Sequence, residues 1–191
     1  MALSHAILSA LMNQPCSGYD LAKQFDVSVG YFWTASHQQI YRELNKLEEK
    51  ALLTSTAIVQ EGRPDKKLYE VTVAGQEALK DWMAQPASLP PIKDDLLVKL
   101  FSGYLIPPDQ IKAVLEKARD EHQAMLEIYR QIESDFFSNP EEMTLSARFQ
   151  YLTLRNGIHF EQGWLNWYDE AIATLESLPS NSQTPHKPVE G

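Results

Sequence analysis

Between Ser36 and Val71 the hydrophobic period switches from that of a helix to that of a strand within a few residues. No other feature of the chain narrows the architecture as much. Ser36-His37-Gln38-Gln39 carries a helix start: a serine N-cap with a glutamine three residues on, each able to satisfy a backbone N–H that the first turn leaves unpaired. Ile40, Leu44, Leu47 and Ala51 then recur at helical spacing, which predicts one buried stripe through Ala51. Gln38, Arg42 and Asn45 fall on the opposite side, flanked by Tyr41 and Lys46. Such a face suits an ordinary solvated helix. It equally suits one that addresses base edges, because arginine can bridge guanine O6 and N7, and glutamine or asparagine adenine N6 and N7.

What surrounds this helix favours the second use. Thr54-Ser55-Thr56-Ala57-Ile58-Val59-Gln60 is rich in β-branched residues; the turn-like Glu61-Gly62-Arg63-Pro64-Asp65 follows, then Lys66-Lys67-Leu68-Tyr69-Glu70-Val71. This reads as a two-stranded hairpin with Arg63, Lys66 and Lys67 at or beside its tip. Upstream, Leu3, Ile7 and Leu11 predict a first helix, and Ser17 with Asp20 opens a second that carries Leu21, Ala22 and Phe25. Gly30-Tyr31-Phe32-Trp33 forms an aromatic connector, and Thr72 caps a helix through Ala78, Leu79, Trp82 and Met83. Three helices followed by a basic-tipped hairpin is the order of a winged helix, in which the third helix enters the major groove and the hairpin meets phosphates alongside.

Charge tempers that reading. The net charge is −9. Residues 1–85 hold eight Lys/Arg against ten Asp/Glu and residues 86–191 nine against sixteen, so the acidity lies mainly in the second half. Ser36–Tyr69 holds six basic and five acidic residues. DNA affinity must therefore come from local placement and from doubling across a dimer.

Three prolines between Pro86 and Pro91 break the chain, and Leu178 to Pro185 begins a polar stretch. The expected organisation is a winged-helix domain over 1–85, a helical dimerisation domain over 92–178 and a flexible tail over 179–191. In the second half, Ile92 to Tyr104 predicts a helix with Leu96, Leu97, Leu100 and Phe101, and Pro107-Pro108-Asp109 opens a long one. Ile111, Leu115, Ala118, His122, Met125, Tyr129, Ile132 and Phe136 alternate at four and three, a heptad seam. Asn139-Pro140-Glu141-Glu142 is expected to end that helix and cap the next. The last helix has two stripes, one of Leu154, Ile158, Leu165, Tyr168, Ile172 and Leu175, the other of Phe160, Trp164, Trp167 and Ala171. A helix apolar on two faces needs two partners. One is the heptad helix of the same chain; the simplest second is another subunit, which gives Ile111, Leu115, Met125, Leu154, Ile158, Trp164, Leu165, Trp167, Tyr168 and Ile172 as dimerisation residues. A monomeric helical bundle is the alternative.

Several spaced motifs resemble the PadR family of bacterial transcription regulators: Ser17-Gly18-Tyr19-Asp20, Gln39-Ile40-Tyr41-Arg42-Glu43-Leu44-Asn45-Lys46-Leu47-Glu48, Gly62-Arg63-Pro64-Asp65-Lys66-Lys67-Leu68-Tyr69 and Thr72-Val73-Ala74-Gly75. The connector Gly30 to Gln39 is similar to that of the AphA branch, and the second half to that branch's helical C-terminal domain. The resemblance implies a mainly α fold with a small β hairpin, an N-terminal winged helix, a C-terminal antiparallel coiled-coil-like dimerisation domain, and action at promoters. Members repress, and the AphA type also activates, so the sign of regulation stays open. On this resemblance and the helix face, Gln38, Arg42 and Asn45 are the candidates for base edges, with His37, Tyr41, Lys46, Arg63, Lys66 and Lys67 on the backbone. Glu61 and Asp65 sit among the wing cations, a departure that lowers the expected phosphate affinity.

Other chemistries find little support. His159-x-Glu161 lacks a following Cys-x-x-Cys, and no Walker, dinucleotide or nucleophile-elbow motif occurs, so no enzyme, cofactor or metal is expected. The single cysteine, Cys16, fits a reducing cytoplasm, and no leader or spanning segment is read from the sequence. His122 is expected as a packing residue on the seam. Tyr31, Phe32 and Trp33 together with Trp164 and Trp167 suggest a pocket for a small aromatic effector, with plain core packing as the alternative. A second regulator is the remaining partner class: a winged helix that works through another protein and binds DNA weakly alone.

Overall fold

The structure, a computed structural model, describes residues 2–12, 14–27, 33–59, 66–87 and 93–178. The wing turn with Arg63, the connector residues Gly30, Tyr31 and Phe32, and the tail from residue 179 lie outside the described residues. The chain forms two compact units, Met1–Pro90 and Pro91–Gly191.

The first unit runs α1 (Ala2–Leu11), β1 (Cys16–Ser17), α2 (Gly18–Val27), α3 (His37–Glu49), β2 (Leu53–Ile58), β3 (Lys66–Val71) and α4 (Val73–Met83). Each helix turns a stripe inward: Ile7, Leu8 and Leu11 from α1, Leu21, Ala22 and Phe25 from α2, Ile40, Leu44 and Leu47 from α3, Leu79 from α4. They close on Leu53, Tyr69 and Val71 of the sheet. The hairpin pairs Leu53 with Val71 through to Ile58 with Lys66. The expected two-stranded ribbon has a third member. Cys16 pairs with Tyr69 and Ser17 with Leu68, so the order is β1-β3-β2 with β3 central. A two-residue strand has no period to read, and only the proximity of β3 defines it.

The expected stripe also ends at Leu47, one stripe position early. Ala51 is exposed and adopts φ 55°, outside α3. Ala51 N–H donates to the Glu48 carbonyl and Leu52 N–H to the Leu47 carbonyl, each at 2.9 Å. That pair of bonds terminates a helix and turns the chain into β2.

The second unit comprises α5 (Asp95–Phe101), a 3₁₀ turn (Gly103–Leu105), α6 (Pro108–Phe136), a 3₁₀ turn (Pro140–Glu142) and α7 (Leu145–Glu176). α5 starts later than expected because Asp94 accepts the Leu96 N–H, and it gives way to the 3₁₀ turn before Tyr104. Pro108 opens α6 as expected. α7 starts later than the sequence implied: Thr144 accepts the Ala147 N–H, and Asn139 makes no side-chain cap. α6 and α7 run antiparallel, since residues bridged from α6 rise in number as their α7 partners fall. Lys112 meets Glu176, Arg119 meets Asp169, and Glu133 meets Arg155. The seam is buried at Ile111, Leu115 and Tyr129, but Leu126 takes the buried place next to half-buried Met125, and Phe136 is 74% exposed. A straight helix drifts from a strict heptad, which carries the inward direction from Met125 towards Leu126. Among the described residues no helix is long and apolar enough to cross a membrane.

Candidate nucleic-acid interface

α3 is fixed at its N-terminus and along one side. Its capping box is complete: Gln39 N–H donates to Ser36 Oγ at 3.3 Å, and Ser36 N–H donates to Gln39 Oε1 at 2.8 Å. Ile40, Leu44 and Leu47 are essentially inaccessible, which fixes the helix roll. The opposite side carries His37, Gln38, Tyr41, Arg42, Asn45 and Lys46, all exposed. Arg42 has neither an ion-pair nor a hydrogen-bond partner among the described residues. Tyr41 lies so close over Gly18 at the start of α2 that a Cβ there would overlap its ring. The absence of a side chain at Gly18 thus leaves room for the Tyr41 ring.

The lysines are arranged differently. Lys46 Nζ lies 3.2 Å from Glu43, Lys66 Nζ 2.7 Å from Asp20 and Lys67 Nζ 2.6 Å from Glu48. Lys67 also stands over the Tyr69 ring, 5.2 Å from its centroid. Lys66 beside Asp20, with the Ser17 hydroxyl, holds that carboxyl below its ordinary range. Lys67 does the same to Glu48, helped by Ser55, and is itself pushed up by Glu48. The Ser4 hydroxyl, then Lys46, lowers Glu43. These acidic partners were missed from the sequence. The Glu43–Lys46 spacing of three on a helix was legible there; the Asp20–Lys66 and Glu48–Lys67 pairs join different elements and were not.

Of the proposed dimerisation residues, Ile111, Leu115, Ile158, Leu165 and Tyr168 are buried in the α6–α7 helix pair of a single chain. Met125, Leu154 and Ile172 are half-buried. Trp164 and Trp167 retain accessible area and, with Leu97, His159, Phe160 and Gly163, line an open recess of about 440 Å³. Behind it His122 Nδ1 lies 2.5 Å from Oε2 of buried Glu161, its ring stacked on Trp164 at 5.4 Å. His122 is thus a packing residue that also satisfies a buried carboxylate, a partnership the sequence reading missed. Val98, Phe101, Leu145, Phe149 and Leu152 are exposed apolar side chains of the same unit.

Comparison with known proteins agrees with this geometry. Residues 7–81 match the transcriptional regulator PadR-like family, and residues 92–176 the virulence activator alpha C-terminal family. A probable transcriptional regulator of Mycobacterium tuberculosis is 39% identical over 188 residues, covering 92% of this chain and 98% of the relative. The Vibrio cholerae virulence activator AphA superposes with a TM-score of 0.76 at 36% identity, over 93% of this chain and 99% of that one. Bacillus subtilis PadR in complex with operator DNA superposes with a TM-score of 0.82 at 26% identity, over 92% and 99%; the same protein has also been solved with p-coumaric acid, giving a TM-score of 0.78. With a relative at this identity along nearly its whole length, and both halves matched, the chain belongs to the PadR-like family of transcription regulators.

Proposed function

We propose that this chain is a cytoplasmic regulator that binds operator DNA as a homodimer. In this reading α3 sits in the major groove, and the β2–β3 hairpin lies against the backbone. Gln38, Arg42 and Asn45 take base edges; His37, Tyr41, Lys46, Arg63, Lys66 and Lys67 take phosphates and sugars. The observation that carries it is the two-sided character of α3: one side wholly buried, the other an exposed Gln-Arg-Asn face whose arginine has no partner among the described residues. The complex of the Bacillus subtilis relative with operator DNA supports the same use of the fold. Its complex with p-coumaric acid makes a small aromatic acid the effector class to test first.

The test is a titration of purified protein against a labelled duplex from its own upstream region, with scrambled competitor, at several salt concentrations. A dimer neutralising about six phosphates gives a log K against log salt slope of roughly −5. Arg42→Ala should cost about 1–3 kcal/mol on the operator and relax base preference at one position. An unchanged operator affinity in a folded Arg42→Ala protein would remove the base-reading role. The pairing of all three described candidate lysines with carboxylates favours a second reading, in which a second regulator supplies the missing affinity. Absence of specific binding by the protein alone at low salt would select it.

A further inference from the structure

Three candidate backbone lysines share one construction. Each ends on a carboxylate, and each carboxylate is in turn held by a serine hydroxyl. Ser17 Oγ donates to Asp20 at 2.7 Å, and Asp20 takes Lys66 of β3. Ser55 Oγ donates to Glu48 at 2.5 Å, and Glu48 takes Lys67 of β3. Ser4 Oγ donates to Glu43 at 2.5 Å, and Glu43 takes Lys46. Two of these ion pairs join β3, the strand leading from the wing, to α2 and α3. A carboxylate fixed by a hydroxyl is already oriented, so the lysine gives up a prepared anion when it turns to another. Arg42, in the middle of the same exposed surface, carries no such counter-charge among the described residues.

We propose that Asp20, Glu43 and Glu48 are specificity determinants that damp the sequence-independent part of DNA affinity by occupying Lys66, Lys46 and Lys67 with internal carboxylates. This rests on the DNA-reading function proposed above. On any duplex the phosphates compete with an anion already in place. A lysine that leaves its carboxylate exposes a charge that takes up a cation, which offsets one released from the DNA. Both effects lower non-specific affinity and flatten its salt dependence. Base contacts through Arg42 lose nothing, so the share of the affinity that depends on sequence is larger.

The experiment compares wild type with Glu48→Gln, which keeps a partner for Ser55 while removing the charge. Binding to a scrambled duplex and to the operator duplex is followed across salt. Glu48→Gln should bind the scrambled duplex about two- to fivefold more tightly, the range expected of an exposed ion pair. Its salt slope should steepen by up to about one. The gain should vanish when Lys67 is also changed to Gln, because Glu48 then has nothing to occupy. Glu49→Gln, an exposed neighbour with no partner among the described residues, controls for net charge. An equal gain in Glu49→Gln, or a gain that persists without Lys67, reduces the effect to overall charge and overturns the proposal, as does unchanged scrambled binding in Glu48→Gln. Should Glu48→Gln loosen α3, Asp20→Asn reads the second pair by the same criteria. A wild type that binds neither duplex at low salt overturns the DNA-reading function itself, whereas a wild type that binds while these variants match it overturns only the damping.

Discussion

Ala51 stands at φ 55°, a conformation in which its Cβ crowds the following carbonyl, and it is the residue with positive φ, other than glycine, among those described. The two hydrogen bonds that end α3 need a left-handed residue there, so the strain is imposed by the turn. Ala51→Gly should raise stability by about 0.5–1 kcal/mol, the relief exceeding glycine's extra unfolded-state entropy. Denaturant unfolding would show it as a higher midpoint at unchanged slope; a lower midpoint would mean that the turn carries no strain. From the sequence, Ala51 reads as one more apolar residue at helical spacing. Alanine carries no signature of a helix end, whereas glycine would have announced one.

At the level of elements, the corner where α3 gives way to β2 is tied to the start of α4. Thr72 N–H donates to the Leu52 carbonyl at 3.1 Å, and Thr72 Oγ1 donates to the Ala51 carbonyl at 2.8 Å while accepting the Gly75 N–H at 3.0 Å. A Cβ on Gly75 would overlap the Leu52 carbonyl oxygen and press on Val71. Backbone cannot swing aside as a side-chain tip does. Gly75→Ala should therefore destabilise the protein by roughly 1–3 kcal/mol despite alanine's higher helix propensity. A thermal midpoint equal to or above wild type would show that α4 can retreat from the corner. The Thr72 cap was legible in the sequence, as was the Ser36–Gln39 box, because both are local patterns within four residues. The pairing of Cys16 and Ser17 with β3 was not, since it joins residues more than fifty positions apart.

For the whole molecule, the question is what covers the apolar surface of the second unit. Phe149 and Leu152 of α7 are 65% and 63% exposed, and Leu145 at 74% continues their stripe at helical spacing. Phe101 is 88% exposed in the same unit. Much of the buried seam is used up within one chain, so a second subunit would engage this remaining surface. On the homodimer reading, Phe149→Asp with Leu152→Asp should weaken self-association by at least roughly 3 kcal/mol, two large apolar side chains each worth about 1.5–3 kcal/mol. Sedimentation equilibrium would find monomer at concentrations where wild type is dimer. An unchanged mass would move the interface off this stripe. Operator binding should fall with it, because half-sites held by separate monomers lose the gain of joint binding.

The sequence by itself determined the identity and order of the helices and the β hairpin, the burial of Ile40, Leu44 and Leu47 on α3, and the exposed Gln38, Arg42 and Asn45 face. These follow from period, capping and β-branching, which act over a few residues. It also carried the family, through motifs that keep their spacing along the chain. Tertiary structure alone decided that Lys66 and Lys67 meet Asp20 and Glu48, and that His122 meets Glu161. It also decided which apolar residues of α7 are spent against α6 and which remain outside. Each of these depends on a distance between elements far apart in the chain, and ion pairing in particular depends on where two flexible side chains end, a quantity that no local pattern encodes.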